Sequence, residues 1–369
     1  MTTFLFFLPF LLLFALLAVW AERKVSAFIQ DRLGPMEVGR YGLLQTAADI
    51  IKLLLKEDIV PSAADRRLFL WAPVLLFTAI LTGFAVLPLT SSLGGAGIEV
   101  GVFFLLAIVS LDVLGVLMAG WGSNSKFSLY GAMRSVSQLI SYEIPLGLSV
   151  LCVAVFCQSL DLQAISYQQG LLPTGDTLPA TQWLFSIPAM GVNLSEVGGF
   201  LTWNIIRMPL FLPVFLIFII ASLAEANRAP FDLPESESEL VGGYHTEYSG
   251  FRWAVFMLSE YGVMLLVALL GAILFLGSWH SPLPNLGSWQ LYYWTTGTPG
   301  TWGGQLWGAF WLLSKATAII GLQMWIRWTY PRLRVDQLLA LCWKYLIPAS
   351  LVLLFGAAIW RILWINATI

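Results

Sequence analysis

Eight stretches of this chain each run for about twenty residues with almost no charge, the length that carries a helix across a hydrocarbon core roughly 30 Å thick. They fall at about 3–21, 68–89, 100–121, 139–159, 205–225, 252–279, 303–326 and 344–363. Inside a bilayer every backbone N–H and C=O must find a partner within the protein, and an unbroken apolar run of this length does so as a helix. The expected fold is therefore an all-α membrane protein, a bundle of eight transmembrane helices forming one polytopic domain over 1–369. Composition leaves no soluble alternative. Charged residues make up 11% of the chain against 58% hydrophobic, where a soluble domain carries about 25% charge. Pro73, Pro145, Pro213 and Pro348 lie inside the runs, which membrane helices tolerate when neighbours satisfy the freed backbone groups.

The first run is free of charge to Ala21, and Glu22, Arg23 and Lys24 follow it instead of preceding it, with no small-residue cleavage site at its end. This reads as a retained helix and not a signal peptide. Lysine and arginine then set the orientation. Segment 22–67 carries Arg23, Lys24, Arg32, Arg40, Lys52, Lys56, Arg66 and Arg67. Lys126 and Arg134, Arg228 and Arg252, and Arg327, Arg332, Arg334 and Lys344 mark every second connection after it. The alternate loops 90–99, 160–204 and 280–302 contain neither residue, with Arg207 and Arg361 as exceptions near the outer ends of two spans. The pattern predicts both termini on the outer side of a bacterial inner membrane.

Between the first two spans, about 43–58, apolar Leu43, Ala47, Ile50, Ile51 and Leu54 recur at helical spacing while Gln45, Asp49, Lys52 and Lys56 take the other side. This is an amphipathic helix on the cytoplasmic side, lying along the interface or packed over the bundle. The outer loop carries Trp289, Tyr292, Tyr293, Trp294 and Trp302, an aromatic belt at headgroup level rather than a binding site.

Ionisable groups within spans cost on the order of 2.5–3.5 kcal/mol each and need a reason. Asp112, Glu143, Glu225, Glu260 and Lys315 all lie there, and their number favours a shared hydrated path over isolated packing contacts, with Lys315 a candidate charge partner for one acid. The cytoplasmic loop at about 226–251, AEANRAPFDLPESESELVGGYHTEYSG from Ala224, adds an acidic cluster. Asp232, Pro234 and Glu235 read as a capped helix start that puts Glu235 and Glu239 one turn apart, where adjacent carboxylates share a proton. Cys152, Cys157 and Cys342 form no CxxC pair, and His245 and His280 are too few for a haem or zinc cage. With no phosphate-binding loop and no nucleophile–base arrangement, bond-making chemistry on a soluble substrate finds no support.

Four segments carry a resemblance to a known family: ERKVSAFIQDRLGPMEVGRYGLLQTAADIIKLLLKEDI, GWGSNSKFSLYGAMRSVSQLISYEIPL, the acidic loop above, and RWTYPRLRVDQLLALCWKYLIP. In this order they resemble the H-type membrane subunit of bacterial proton-pumping NADH:quinone oxidoreductase, respiratory complex I, from about residue 16 to 350. The resemblance implies a subunit at the junction of the membrane and peripheral arms that forms most of a quinone access tunnel. Arg23, Arg32 and Asp49 match tunnel-side charges, and Arg327, Arg332 and Arg334 a basic loop at the arm junction. Tyr142, Glu143, Glu225, Asp232, Glu235, Glu237, Glu239, Glu247 and Tyr248 match an acidic path that couples quinone reduction to proton translocation. Some members place a carboxylate at Ser110, whereas this chain has Asp112.

The resemblance also implies an enzyme subunit without a complete catalytic centre. Quinone is its substrate, no cofactor is bound covalently, and FMN and iron–sulfur clusters belong to partner subunits. The expected partners are the peripheral-arm quinone-site subunits, small membrane-arm subunits and lipid, with no nucleic acid. A homologous subunit of an energy-converting hydrogenase or ferredoxin-linked dehydrogenase is the alternative. A stand-alone transporter lacks the inverted repeat it would need, and a passive anchor would not need buried carboxylates.

Overall fold

The computed structural model describes residues 2–95, 97–171, 185, 194–233, 240–285 and 289–364. Among these residues the regular structure is helical. The main elements are α1 (Thr2–Ile29), α2 (Gln45–Leu55), α3 (Arg66–Phe84), α4 (Gly101–Val109), α5 (Leu111–Gly122), α6 (Lys126–Cys157), α7 (Phe211–Glu225), α8 (Gly250–Phe275), α9 (Trp302–Thr329), α10 (Val335–Leu341) and α11 (Ile347–Trp364). Six helices among the described residues are long and apolar enough to cross a membrane: α3, α4–α5 taken together, α6, α8, α9, and α10–α11. The first apolar run is helical over 28 residues as α1 and carries Glu22, Arg23 and Lys24 within the helix.

Local chemistry explains where several elements start and break. Asp65 caps α3 by accepting from the Arg67 and Leu68 amides, and Thr301 caps α9 by accepting from Gly304. The run expected at 205–225 is shortened to 15 residues in α7. Pro209 follows Met208, which adopts an extended backbone, so the chain makes only a short turn over Asn204–Arg207 before the helix begins. Continuous helix from Val335 to Trp364 contains one wide π turn over Cys342–Leu346, and it starts nine residues before the expected span at 344.

Hydrogen bonds sort the loops onto two ends. At one end Ile59 N–H donates to Ser249 Oγ, Asn124 to Ala63 O, Ser128 to Tyr244 O and Leu333 N–H to Pro230 O. At the other, Gln163 and Tyr167 donate to Ser91 O, Gln305 to Ser92, and Phe200 N–H to Pro282 O. The lysine- and arginine-bearing connections thus gather at one end and the basic-free loops at the other.

At the centre is α8, whose residues 262–275 are all buried. Lipid is as apolar as these side chains, so close packing and interhelical hydrogen bonds hold such helices together. Small residues permit the approach. A Cβ on Gly262 would lie 2.8 Å from Ile80, and one on Gly83 would lie 2.5 Å from Leu266, so α3 and α8 meet through their glycines. Among the described residues Lys315 pairs with no carboxylate. From the middle of α9 its ammonium donates to Ser278 O at 2.8 Å and His280 O at 2.6 Å, and it lies 4.6 Å from the Trp203 ring centroid. The carbonyls just past the C-terminus of α8, where the helix dipole is negative, take the charge instead. His280 is held neutral by burial and then by Lys315, which bring it down to about 3.

Candidate functional site

The amphipathic segment turns two of its polar residues toward the bundle. Thr46 is buried and Asp49 faces the bundle, while Leu43, Leu44, Ile51, Leu54 and Leu55 are exposed. Thr46 and Asp49, together with Ile50 and Leu53, wall a cavity of about 380 Å³, while Lys52 and Lys56 stay exposed with the rest of the apolar stripe. The same cavity is bounded by Ala15, Val19, Glu22, Arg23 and Ser26 of α1, Trp253, Met257, Leu258 and Tyr261 of α8, and Arg327 and Trp328 of α9, with Arg32 at its edge. Its wall is mostly apolar, with charge concentrated at the end where the basic loops meet.

Two charge clusters stand in that wall. Arg23 donates to Asp49 at 2.7 Å across the gap between α1 and α2, and Gln45 donates to the other Asp49 oxygen at 3.3 Å. Deeper, the Glu22 carboxylate accepts from Arg327, from Arg228 at 3.3 Å and from the Tyr261 hydroxyl at 2.6 Å. The Arg228 guanidinium also lies 4.3 Å from the Tyr261 ring centroid. A buried carboxylate beside two guanidiniums and a phenol joins them in one polar network, in which the acid offsets part of the cost of burying the cations. Glu22, Arg228 and Tyr261 were not anticipated as site residues. The adjacency of Glu22 to Arg23 in α1 was the available signal.

Past the wall formed by α8 lies a second, much smaller cavity of about 10 Å³, near the size that holds one water. Asp112, Glu225, Asn227, Tyr244, Ser259 and Glu260 line it. Glu225 is buried at the end of α7 in the field of Asp112 first and Glu143 second. Glu143 accepts a hydrogen bond from Ser110, at the break between α4 and α5, and the Tyr244 hydroxyl donates to Glu260 at 3.2 Å. Asp112 therefore shares a site with Glu225, and Ser110 contacts Glu143 directly. The two positions that differ from the expected pattern converge on one acidic cluster.

The remaining expected residues separate. Asp232 pairs with Arg332 at 2.9 Å, which ties the acidic loop to the basic loop. Arg334 is exposed and starts α10. The Tyr142 hydroxyl donates to Leu338 O at 3.0 Å, and its ring packs on Phe231. Tyr248 stacks on Phe69 with centroids 4.0 Å apart and donates to Phe69 O, anchoring the start of α8 on α3, and burial pushes its phenol well above the usual range. Glu247 is half-buried and lines neither cavity. Glu235, Glu237 and Glu239 lie outside the described residues. Among the described residues no three His, Cys, Asp or Glu side chains gather as a metal site.

The sequence model of the family described as NADH dehydrogenase matches residues 1–358. The chain is 57% identical to the second H-type subunit of the NADH-quinone oxidoreductase of Cytophaga hutchinsonii over 362 residues, 98% of this chain and 99% of that one. It is 50% identical to the H-type subunit of the NADH-quinone oxidoreductase of Chlorobium luteolum, covering 96% of this chain and 87% of the relative. Against the H-type subunit of Geobacillus kaustophilus identity is 44%, over 94% and 89% of the two chains. A chain with six apolar helices of membrane-crossing length among its described residues, matched along nearly its whole length, belongs to the family of H-type subunits of NADH-quinone oxidoreductases, the membrane subunits of respiratory complex I.

Proposed function

We propose that this subunit spans the inner membrane eight times, with α1 and α7 completing the set and both termini outside. In this reading it supplies the quinone access chamber and the acidic path that couples quinone reduction to proton translocation. The observation that carries the reading is the double use of α8. Trp253, Met257 and Tyr261 face the larger cavity, and Ser259 and Glu260 face the acidic one. An amphipathic quinone needs an apolar channel with a few placed polar groups, and the wall around Arg23, Asp49 and Glu22 has that character. Quinone is the substrate, and flavin and iron–sulfur chemistry stay with peripheral-arm partners that dock on the basic end.

Protons on the acidic side would pass among Asp112, Glu225, Glu260 and Glu143, and then through the loop carboxylates Glu235, Glu237 and Glu239. Carboxylates packed this closely exchange protons as a coupled set rather than as independent sites. Arg327, Arg332 and Asp232 tie the two halves together at the arm junction.

Arg23→Ala tests the chamber. It breaks the bridge to Asp49 without touching the electron-transfer chain, so quinone-linked turnover of the assembled complex should fall at least fivefold. NADH oxidation by ferricyanide, which takes electrons upstream, should hold within twofold. Equal loss in both assays from an intact complex rejects the chamber.

A further inference from the structure

Two arginines break the basic-free pattern of the outer end, and neither is a surface charge. Arg207, in the short turn before α7, is 6% exposed, and Arg361, in the last turns of α11, is 3% exposed. Both guanidiniums lie in the neighbourhood of the Cys157 thiol at the end of α6, to which Asn204, one turn before Arg207, donates at 3.8 Å. Arg207 donates to Gln168 O. Among the described residues none of the three side-chain nitrogens of Arg361 has a hydrogen-bond partner, and no acid pairs with it. An unpaired guanidinium shut away from water is among the most costly groups a protein can hold. Its long side chain, at the end of a helix, can swing to headgroup level and leave that state.

The neighbouring surface shows what meets it. On α11 Val352, Phe355, Ile359 and Ile362 are exposed in a line, and on α7 so are Leu212 and Leu216. Leu210 packs toward Gly356, where α11 carries no side chain, so the two helices lie side by side. We propose that Arg207 and Arg361 bind the phosphodiester of an anionic phospholipid whose acyl chains lie along the exposed faces of α7 and α11. The fork of Arg361 matches two phosphate oxygens, Arg207 adds its charge beside it, and the apolar faces commit the phosphate to a lipid.

The test uses the whole purified complex, stripped of lipid in detergent and titrated with phosphatidylglycerol. A digalactosyl diacylglycerol of the same chains is the phosphate-free control, and glycerol 3-phosphate the chain-free one. Wild type should retain one more phosphatidylglycerol per complex than Arg207→Gln/Arg361→Gln, by mass spectrometry. In Arg361→Gln alone the half-saturating lipid concentration should rise roughly tenfold or more. The galactolipid should not replace phosphatidylglycerol, and glycerol 3-phosphate should not displace it. Equal lipid retention, or displacement by glycerol 3-phosphate, overturns the proposal. If the double variant fails to assemble, the single one decides through heat inactivation. Without lipid Arg361→Gln should be at least as resistant as wild type, because it removes an unpaired charge, and phosphatidylglycerol should protect only wild type. A stripped Arg361→Gln complex weaker than wild type would mean that Arg361 already has a protein acceptor, and the lipid site would be lost with it.

Discussion

Arg327, near the end of α9, donates to the carboxylate of Glu22, 305 positions earlier in the chain, and so closes the inner end of the larger cavity. Arg228 reaches the same carboxylate from the acidic loop. One acid thus holds the first helix, the acidic loop and the basic loop together.

Glu22→Gln removes the carboxylate that joins Arg228 to Arg327 and leaves two guanidiniums close together in a buried site. Breaking a buried pair by deleting one partner costs about 3–5 kcal/mol. The variant should therefore assemble poorly or lose heat resistance. Combining it with Arg327→Gln should recover part of the loss, since one unpaired cation is then gone. A double-mutant cycle on thermal inactivation reads the coupling, and strict additivity would mean that the three groups do not act as one network.

The acidic loop also carries a titrating group whose sign can be worked out. His245 sits in the turn Gly243–His245, against Tyr244 and Trp253, and burial lowers its pKa from 6.5 to about 4. Between those values the unfolded state binds a proton that the folded one refuses, so stability is lost as pH falls from about 6.5 toward 4. His245→Phe keeps a ring of similar shape and removes the titration. Heat inactivation of the wild-type complex should steepen between pH 7 and pH 5, and the variant should lose part of that steepening. Identical pH slopes would show that the imidazole already has access to water.

Most of the architecture was legible because its signal is carried by long runs. The apolar stretches and the alternation of lysine and arginine need no tertiary information, and the helices and the two-ended sorting of loops follow them. What escaped depends on contacts between distant segments. The inward turn of Thr46 and Asp49 could not be read from α2 alone, because a polar stripe looks the same whether it faces water or a polar cavity. Lys315 looked like a partner for an acid until the carbonyls beyond α8 took its charge. Glu22 was legible as a charge at the end of a span but not as a hub, since Arg228 and Arg327 lie 206 and 305 positions away.

Orientation follows from the same alternation and can be tested directly. In a background without Cys152, Cys157 and Cys342, a cysteine at Ser92, exposed at the basic-free end, should react with an impermeant thiol reagent added to intact cells. One at Lys56, exposed beside Ser249 at the opposite end, should react only after the membrane is opened. The reverse pattern would invert the subunit and move the chamber mouth to the outer leaflet.

The acidic cavity gives the sharpest test of coupling, because two of its residues differ in what they contribute. Asp112 lines the cavity with Glu225 and Glu260, and one of its oxygens is buried without a partner. Ser110 lies outside that cavity and donates to Glu143, the next acid along α6. Asp112→Asn keeps the shape and removes one exchangeable proton site, so assembly should be near normal while quinone reduction and proton pumping fall together, by tenfold or so if the site is obligatory. Ser110→Ala removes a hydroxyl that Glu143 shares with the Leu106 carbonyl, and leaves every carboxylate of the cluster in place. Its effect on turnover should therefore be smaller than that of Asp112→Asn, with assembly unchanged. If Asp112→Asn retains full turnover and a full proton gradient, the cavity is a packing feature. The path would then have to run from Glu225 to Glu143 without it, and Ser110→Ala would become the more damaging change.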